Sequence, residues 1–148
     1  MSIKLRWLLA AFSIFTGLAS CTRTDIVERD YIDSVALRAD GVVAKGWVSD
    51  AFPAEARQIK LKTNIDTNEV WARFEASPAD FEKMPSSCPV ANIQAVDLPG
   101  ANATPWWPDY LVASGFVAGR AVFFRCGDGG IFAVPTNDSV AYFWHRIR

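Results

Sequence analysis

Alternating apolar and polar residues mark the clearest elements of the chain. Apolar or β-branched side chains occupy every second position in residues 58–65, and the alternation resumes in residues 70–76. A period of two is typical of a strand with one buried face. Residues 66–68 read Asp-Thr-Asn, which favours a turn. We therefore predict a β-hairpin with one solvent-facing side, on which Trp71 lies.

Three more short apolar runs fill the C-terminal third of the chain. Residues 121–126, 131–134 and 140–145 are rich in Val, Ile, Phe and aromatic residues, and short segments rich in Gly, Asn and Asp separate them. Such spacing predicts antiparallel hairpins. The Gly-rich residues 127–130 are accordingly interpreted as a hairpin turn, since neither a helix start nor a Lys follows them as a phosphate-binding loop requires.

Helical signals are few and short. Ser77 is a good N-cap before Pro78, so we predict a helix over residues 78–84, and a briefer one over residues 108–113. A short strand is expected at residues 42–47. Two hairpin units separated by a helix and a loop-rich insert predict a single α+β domain, with a mostly antiparallel sheet and one or two short helices.

The N-terminus has the layout of a secretory signal. Lys4 and Arg6 precede an uncharged stretch, residues 7–20, which as a helix would rise only about 21 Å, too short to cross a bilayer. The stretch ends in Leu18-Ala19-Ser20-Cys21, which resembles the lipobox of bacterial lipoproteins. This resemblance implies removal of residues 1–20 and acylation of Cys21, with palmitate among the acyl chains. Because Thr22 rather than Asp follows, we expect an outer-membrane anchor facing the periplasm.

The segment after the signal is charged, with one apolar stripe. Val27, Tyr31 and Val35 recur at intervals of four, which fits one face of a helix. A short helix and an ordered tether are both compatible with residues 21–40. Residues 41–148 are then the globular domain.

The cysteines form an even pair once Cys21 is acylated. Cys88 and Cys126 remain, and in an oxidising compartment they are expected to form a disulfide that stabilises the domain by about 4 kcal/mol. The alternative is a redox or metal-binding pair. No Cys-x-x-Cys is present and His145 is the single histidine, so no metal site or cofactor is predicted.

The charge balance and the candidate catalytic residues narrow the range of functions that the sequence supports. Lys4 and Arg6 lie in the signal, which leaves the mature part a small acidic excess and hence no basic footprint for nucleic acid. His145 is interpreted as a surface or strand-end residue rather than a catalytic one. The carboxylates near the first hairpin, Asp66, Glu69 and Glu75, are interpreted as solvated rather than as an acid/base pair. No catalytic residue is assigned.

The remaining candidate is the aromatic sequence at residues 105–110. Pro105 and Pro108 stiffen a loop that carries Trp106, Trp107 and Tyr110. Such rings stack on sugars and anchor protein interfaces, so these three residues are the candidate binding surface. In the competing interpretation, one tryptophan fills the core beneath the loop and the other covers its edge.

Scattered positions along the mature chain match a known family. They are Phe52-Pro53, Ile59, Asp66, Phe74, Trp106-Trp107-Pro108, Leu111 and Ala141-Tyr142-Phe143-Trp144. At these positions the chain resembles small Gram-negative bacterial lipoproteins of unknown function. The resemblance implies no activity. We expect a non-enzymatic envelope lipoprotein that contacts another envelope protein or peptidoglycan. The alternative is a glycan-binding or lysozyme-inhibitor-like module, and a hydrolase ranks third.

Overall fold

The computed structural model describes residues 25–100 and 104–147. Six strands form one antiparallel sheet in the order β1-β2-β3-β6-β5-β4. The strands are β1 (Ile26–Asp33), β2 (Arg57–Asn64), β3 (Glu69–Glu75), β4 (Ala121–Arg125), β5 (Ile131–Pro135) and β6 (Val140–Arg146). Two short helices, α1 (Ser34–Ala39) and α2 (Pro78–Glu82), and two 3₁₀ turns, Ala95–Asp97 and Asp109–Leu111, accompany them. A sheet of antiparallel hairpins with short helices is the predicted α+β arrangement.

The predicted hairpins form where local turn chemistry favours them. Asn64 Oδ1 accepts hydrogen bonds from the backbone N–H groups of Asp66 and Thr67, which closes the β2–β3 turn. In the β4–β5 turn, Gly129 adopts a φ of +96°, a conformation that favours glycine. Residues 127–130 are therefore a hairpin turn, as predicted. Pairing of β3 with β6 then joins the first three strands to the last three.

Both faces of the sheet are covered, which corrects one prediction. One face, here the disulfide face, packs the rings of Phe52, Phe74, Phe132 and Phe143. The opposite face, here the tryptophan face, buries Trp71, Trp107, Tyr142 and Trp144 with residues from segments 91–98 and 106–112. The expectation that Trp71 lies on a solvent-facing side is wrong, because those segments cover the tryptophan face. Trp71 is only 3% exposed.

The segment before residue 40 is mainly a strand. Residues 26–33 form β1, paired along its length with β2, so a helix at these positions is wrong. Val27 and Tyr31 share one face of β1, because an interval of four is also a multiple of the strand period of two. The helix is confined to Ser34–Ala39, where Asp33 Oδ1 accepts from the N–H of Ala36 at 2.9 Å.

Residues 42–47 form consecutive turns rather than the predicted strand. Gly41 precedes this segment and Gly46 lies within it, with φ values of +78° and +74°, which extended strands do not adopt. The turns place Val42 and Val48 in the core of the disulfide face. The segment therefore packs against the disulfide face of the sheet and fills part of its core.

The helix and disulfide predictions are confirmed. Ser77 caps α2 through a reciprocal capping box with Asp80, and the helix ends two residues earlier than predicted. The predicted brief helix at residues 108–113 is present as the single 3₁₀ turn Asp109–Leu111. Cys88 and Cys126 form a buried disulfide that ties the segment after α2 to the end of β4.

Candidate functional site

Of the three aromatic residues predicted to form a binding surface, Trp107 is buried, whereas Trp106 and Tyr110 are half-buried. Trp107 is 3% exposed, and its indole N–H donates to the carbonyl oxygen of Leu111 at 3.1 Å. Its ring lies edge-on to Tyr142, with centroids 5.5 Å apart. The interpretation that one tryptophan of the pair fills the core therefore describes Trp107.

Trp106 and Tyr110 are half-buried and reach the surface. Trp106 contacts Trp107 edge-on, with centroids 6.4 Å apart. The guanidinium of Arg120 lies 4.9 Å from the ring centroid of Tyr110, in cation–π geometry. Partial burial raises the pKa of Tyr110, so its hydroxyl stays protonated and able to donate. We call Trp106, Tyr110 and Arg120 the aromatic patch.

Arg120 and Tyr110 of the aromatic patch lie near the end of the sheet opposite the start of β1. Arg120 directly precedes β4, and its carbonyl accepts from the N–H of Thr136 in the β5–β6 turn. At the other end of the sheet, Ile26 pairs with Asn64. Eight residues of β1 span about 26 Å at roughly 3.3 Å per residue. The chain thus enters the sheet far from Arg120.

A second concave surface, which sequence analysis missed, lies at the end of the sheet where β1 starts. We call it the sheet-end groove, with a volume of about 720 Å³. Its lining comes from the turn after β4, from β5 and β6, and from the 3₁₀ turn near residue 96, and it includes Val96, Arg125, Ile131, Trp144, His145 and Arg146. Alternation along β4 and β6 places Arg125 and Arg146 on the tryptophan face, but their proximity depends on strand pairing that the sequence does not reveal.

Each groove arginine is held by one carboxylate. Arg125 Nη2 lies 2.7 Å from Asp97 Oδ1, and Arg146 donates from Nε and Nη2 to Glu69 Oε1. Partial burial raises the pKa of Asp97, but hydrogen bonds from the Gln94 backbone and Arg125 outweigh it and lower that pKa. Both arginine side chains stay exposed, at 42% and 57%. Part of each guanidinium is therefore in contact with solvent.

His145 lies at the end of β6 as predicted, but it is buried rather than on the surface. Its Nδ1 is 3.4 Å from the carbonyl oxygen of Trp47, and its Nε2 is 3.0 Å from that of Asp128. The ring therefore bridges the 42–47 turns and the β4–β5 turn. These contacts help to hold the two turns together.

The carboxylates near the first hairpin lie in different environments. Glu69 and Glu75 lie at opposite ends of β3, about 20 Å apart, beyond the roughly 9.5 Å that paired glycosidase carboxylates require. The expectation that these carboxylates are solvated is wrong for Glu69, which is buried because its carboxylate pairs with Arg146. Asp66 is on the surface, where the Asp25 carboxylate raises its pKa.

The described part of the chain shows neither a metal-binding cluster nor a membrane-spanning helix. Within residues 25–100 and 104–147, no group of three or more His, Cys, Asp or Glu side chains is placed to hold a metal ion. Over the same residues, no helix has the length and apolar character needed to cross a membrane. The predicted signal, residues 1–20, and Cys21 lie outside these residues.

Comparison with known proteins links part of the chain to a protein family. No curated protein and no solved structure matches it. A family model described as the YbbD head domain matches residues 25–75, about a third of the chain. The matched residues comprise β1, α1, β2 and β3, and they stop short of the aromatic patch and of β4 to β6, which line the sheet-end groove. The first half of the sheet is therefore similar to the YbbD head domain.

Proposed function

We propose that this chain is a non-enzymatic binding module of the bacterial envelope, anchored through acylated Cys21 and contacting its partner with the aromatic patch. The proposed anchor is in the outer membrane and faces the periplasm. Support for the anchor comes from the Leu18-Ala19-Ser20-Cys21 sequence after a short apolar stretch. Two or three acyl chains hold a protein stably on a bilayer.

The observation that carries the proposal is the position of the aromatic patch relative to the proposed anchor. Four residues lie between Cys21 and Ile26, and the five Cα–Cα steps keep the start of β1 within about 18 Å of the membrane. The patch lies near the other end of the sheet, which is about 26 Å away along β1. An anchored domain can thus present Trp106 and Tyr110 away from the bilayer.

The patch is also stiff, which favours binding. Buried Trp107 fixes the backbone next to Trp106, and Arg120 packs on Tyr110. A surface that is ordered before its partner arrives loses less conformational entropy on binding. Aromatic rings flanked by a guanidinium suit either a protein interface or a sugar face, so the partner is an envelope protein or peptidoglycan. A lysozyme-inhibitor-like role would use the same contact.

The test replaces one ring in the full chain, expressed with its own signal. Trp106→Ala should reduce co-sedimentation with purified peptidoglycan, or in-cell crosslinking to a defined envelope protein, about tenfold or more. Val35→Ala, which removes an exposed apolar side chain on α1, is the matched control and should change neither. If Trp106→Ala and Tyr110→Ala together leave both measurements unchanged, the aromatic patch is not the contact surface.

A further inference from the structure

Positive charge adjoins the aromatic patch on the tryptophan face. Arg73 of β3 pairs with Tyr142 of β6 across the sheet, and its guanidinium lies beside the Tyr142 hydroxyl. Tyr142 in turn is close enough to Tyr110 of the patch to affect it electrostatically. On its other side Arg73 pairs with Lys60 of β2. Like charges directly opposite each other in a sheet are destabilising, so this position favours a nearby anion.

The two arginines beside these tyrosines have no carboxylate partner in the part of the chain that the structure describes. Lys60 lies 3.5 Å from Asp30, whereas neither Arg73 nor Arg120 forms an ion pair with a described residue. Asp138, in the β5–β6 turn, is a further nearby acid, but it lies beyond ion-pair distance of both. Arg120 is exposed and Arg73 is partly exposed, so a ligand can reach both guanidinium groups.

A continuous row of rings connects Trp106 to Arg73. The ring centroid of Trp106 is 6.4 Å from that of Trp107, which is 5.5 Å from that of Tyr142. These two distances limit the separation of Trp106 from Tyr142 to about 12 Å. Because Arg73 lies beside Tyr142, one ligand can contact the ring of Trp106 and a guanidinium together.

A ligand with both a sugar face and a carboxylate matches this arrangement. Aromatic rings pack on sugar faces, and guanidinium groups form their strongest hydrogen bonds with carboxylates. Peptidoglycan carries sugar rings and carboxylates in every repeat. An acidic protein partner matches less well, because protein interfaces centre on large side chains that insert into the other surface, and Trp106 and Tyr110 are half-buried.

We propose that the aromatic patch binds peptidoglycan and recognises its carboxylates through Arg73 and Arg120. This inference rests on the proposed function and makes it more specific, since it selects an acidic glycan over a neutral one and over a protein. The arginines supply the preference for charge, and Trp106 supplies the contact with the sugar.

The test is co-sedimentation of the detergent-solubilised full chain with purified peptidoglycan. One sample is native, and in the other the carboxyl groups are converted to amides, which keeps the sugars and removes the negative charge. Native peptidoglycan should bind about tenfold more tightly than the amidated form. That difference should shrink as the salt concentration rises, because salt screens exposed charges.

Substitutions at the arginines test whether they supply the preference. Arg73→Gln and Arg120→Gln should each weaken binding of native peptidoglycan about tenfold and change binding of the amidated form less than about twofold. Structural damage would weaken both alike. Arg73→Lys keeps the charge and should lose less than Arg73→Gln. Lys45→Gln removes an exposed cation from the 42–47 turns and is the matched control, with no expected change.

The outcomes separate this inference from the proposed function. Equal binding of native and amidated peptidoglycan, lost on Trp106→Ala, would keep the module and overturn recognition of carboxylates. A preference for the native form that both arginine variants retain would also overturn it. Absence of binding to native peptidoglycan, with crosslinking to an envelope protein that depends on Trp106, would make the partner a protein and overturn the inference alone.

Discussion

Trp107→Ala is expected to lower the free energy of unfolding by about 3 to 5 kcal/mol. Trp107 is almost fully buried on the tryptophan face, packs edge-on to Tyr142 and donates to the Leu111 carbonyl. Truncation leaves a cavity beneath the loop and an unpaired carbonyl oxygen. Urea denaturation, followed by circular dichroism, measures the loss.

Trp106→Ala is the matched control, because it removes the same side chain from the adjacent position. Trp106 is half-buried and makes an edge-on contact with Trp107, so its loss should cost only about 1 kcal/mol. A Trp106→Ala variant as unstable as Trp107→Ala would mean that both rings are core. The aromatic patch would then lose its main support.

Cys88→Ala and Cys126→Ala should each destabilise the domain by about 2 to 5 kcal/mol. Both substitutions remove the same disulfide, which spans 38 positions of sequence, so the double variant should cost little more than either alone. Denaturation of the three variants beside the oxidised parent gives the values. Reduction of the parent should reproduce the loss, and the same treatment should not affect the double variant.

The thiol count of the unfolded, unreduced protein provides an independent check. With the disulfide formed and Cys21 acylated, no thiol should react. Two reactive thiols from Cys88 and Cys126 would contradict the disulfide, and similar stabilities of the double variant and the parent would contradict its energetic role.

Strand positions that depend on local pattern were predictable. In β2 and β3 the alternation of side chains and the Asp-Thr-Asn turn determine the hairpin before any distant contact forms. The cap of α2 is equally local, since Ser77 and Asp80 satisfy each other's backbone groups. The Cys88–Cys126 disulfide followed from counting cysteines rather than from geometry.

The segments that were predicted wrongly have conformations and burial that depend on tertiary contacts. The stripe of Val27 and Tyr31 fits a helix and a strand equally, and only pairing with β2 decides for the strand. Whether Trp71 faces water depends on segments 91–98 and 106–112, which have no periodic pattern to show that they cover the sheet. Charges on β1, including Glu28 and Asp30, protect its open edge, although in the sequence they resemble a solvated helix.

The candidate site residues also differ in whether local sequence or distant contacts determine their positions. Pro105 and Pro108 indicated a stiff aromatic loop, but nothing local distinguishes buried Trp107 from half-buried Trp106. The sheet-end groove was not predictable, because Arg125 and Arg146 meet only through the pairing of β4, β5 and β6. Burial of His145 likewise requires the distant carbonyl of Trp47.

Intact-mass analysis of the native protein, purified from the bacterial envelope, tests the central claim of a membrane-anchored module most directly. The account predicts a chain that begins at Cys21 and carries the added mass of a diacylglyceryl group and usually of an N-acyl chain. Cys21→Ser should abolish acyl labelling and release the exported product from the membrane. A native chain with an unmodified Cys21 thiol, or one that retains residues 1–20, would contradict the account.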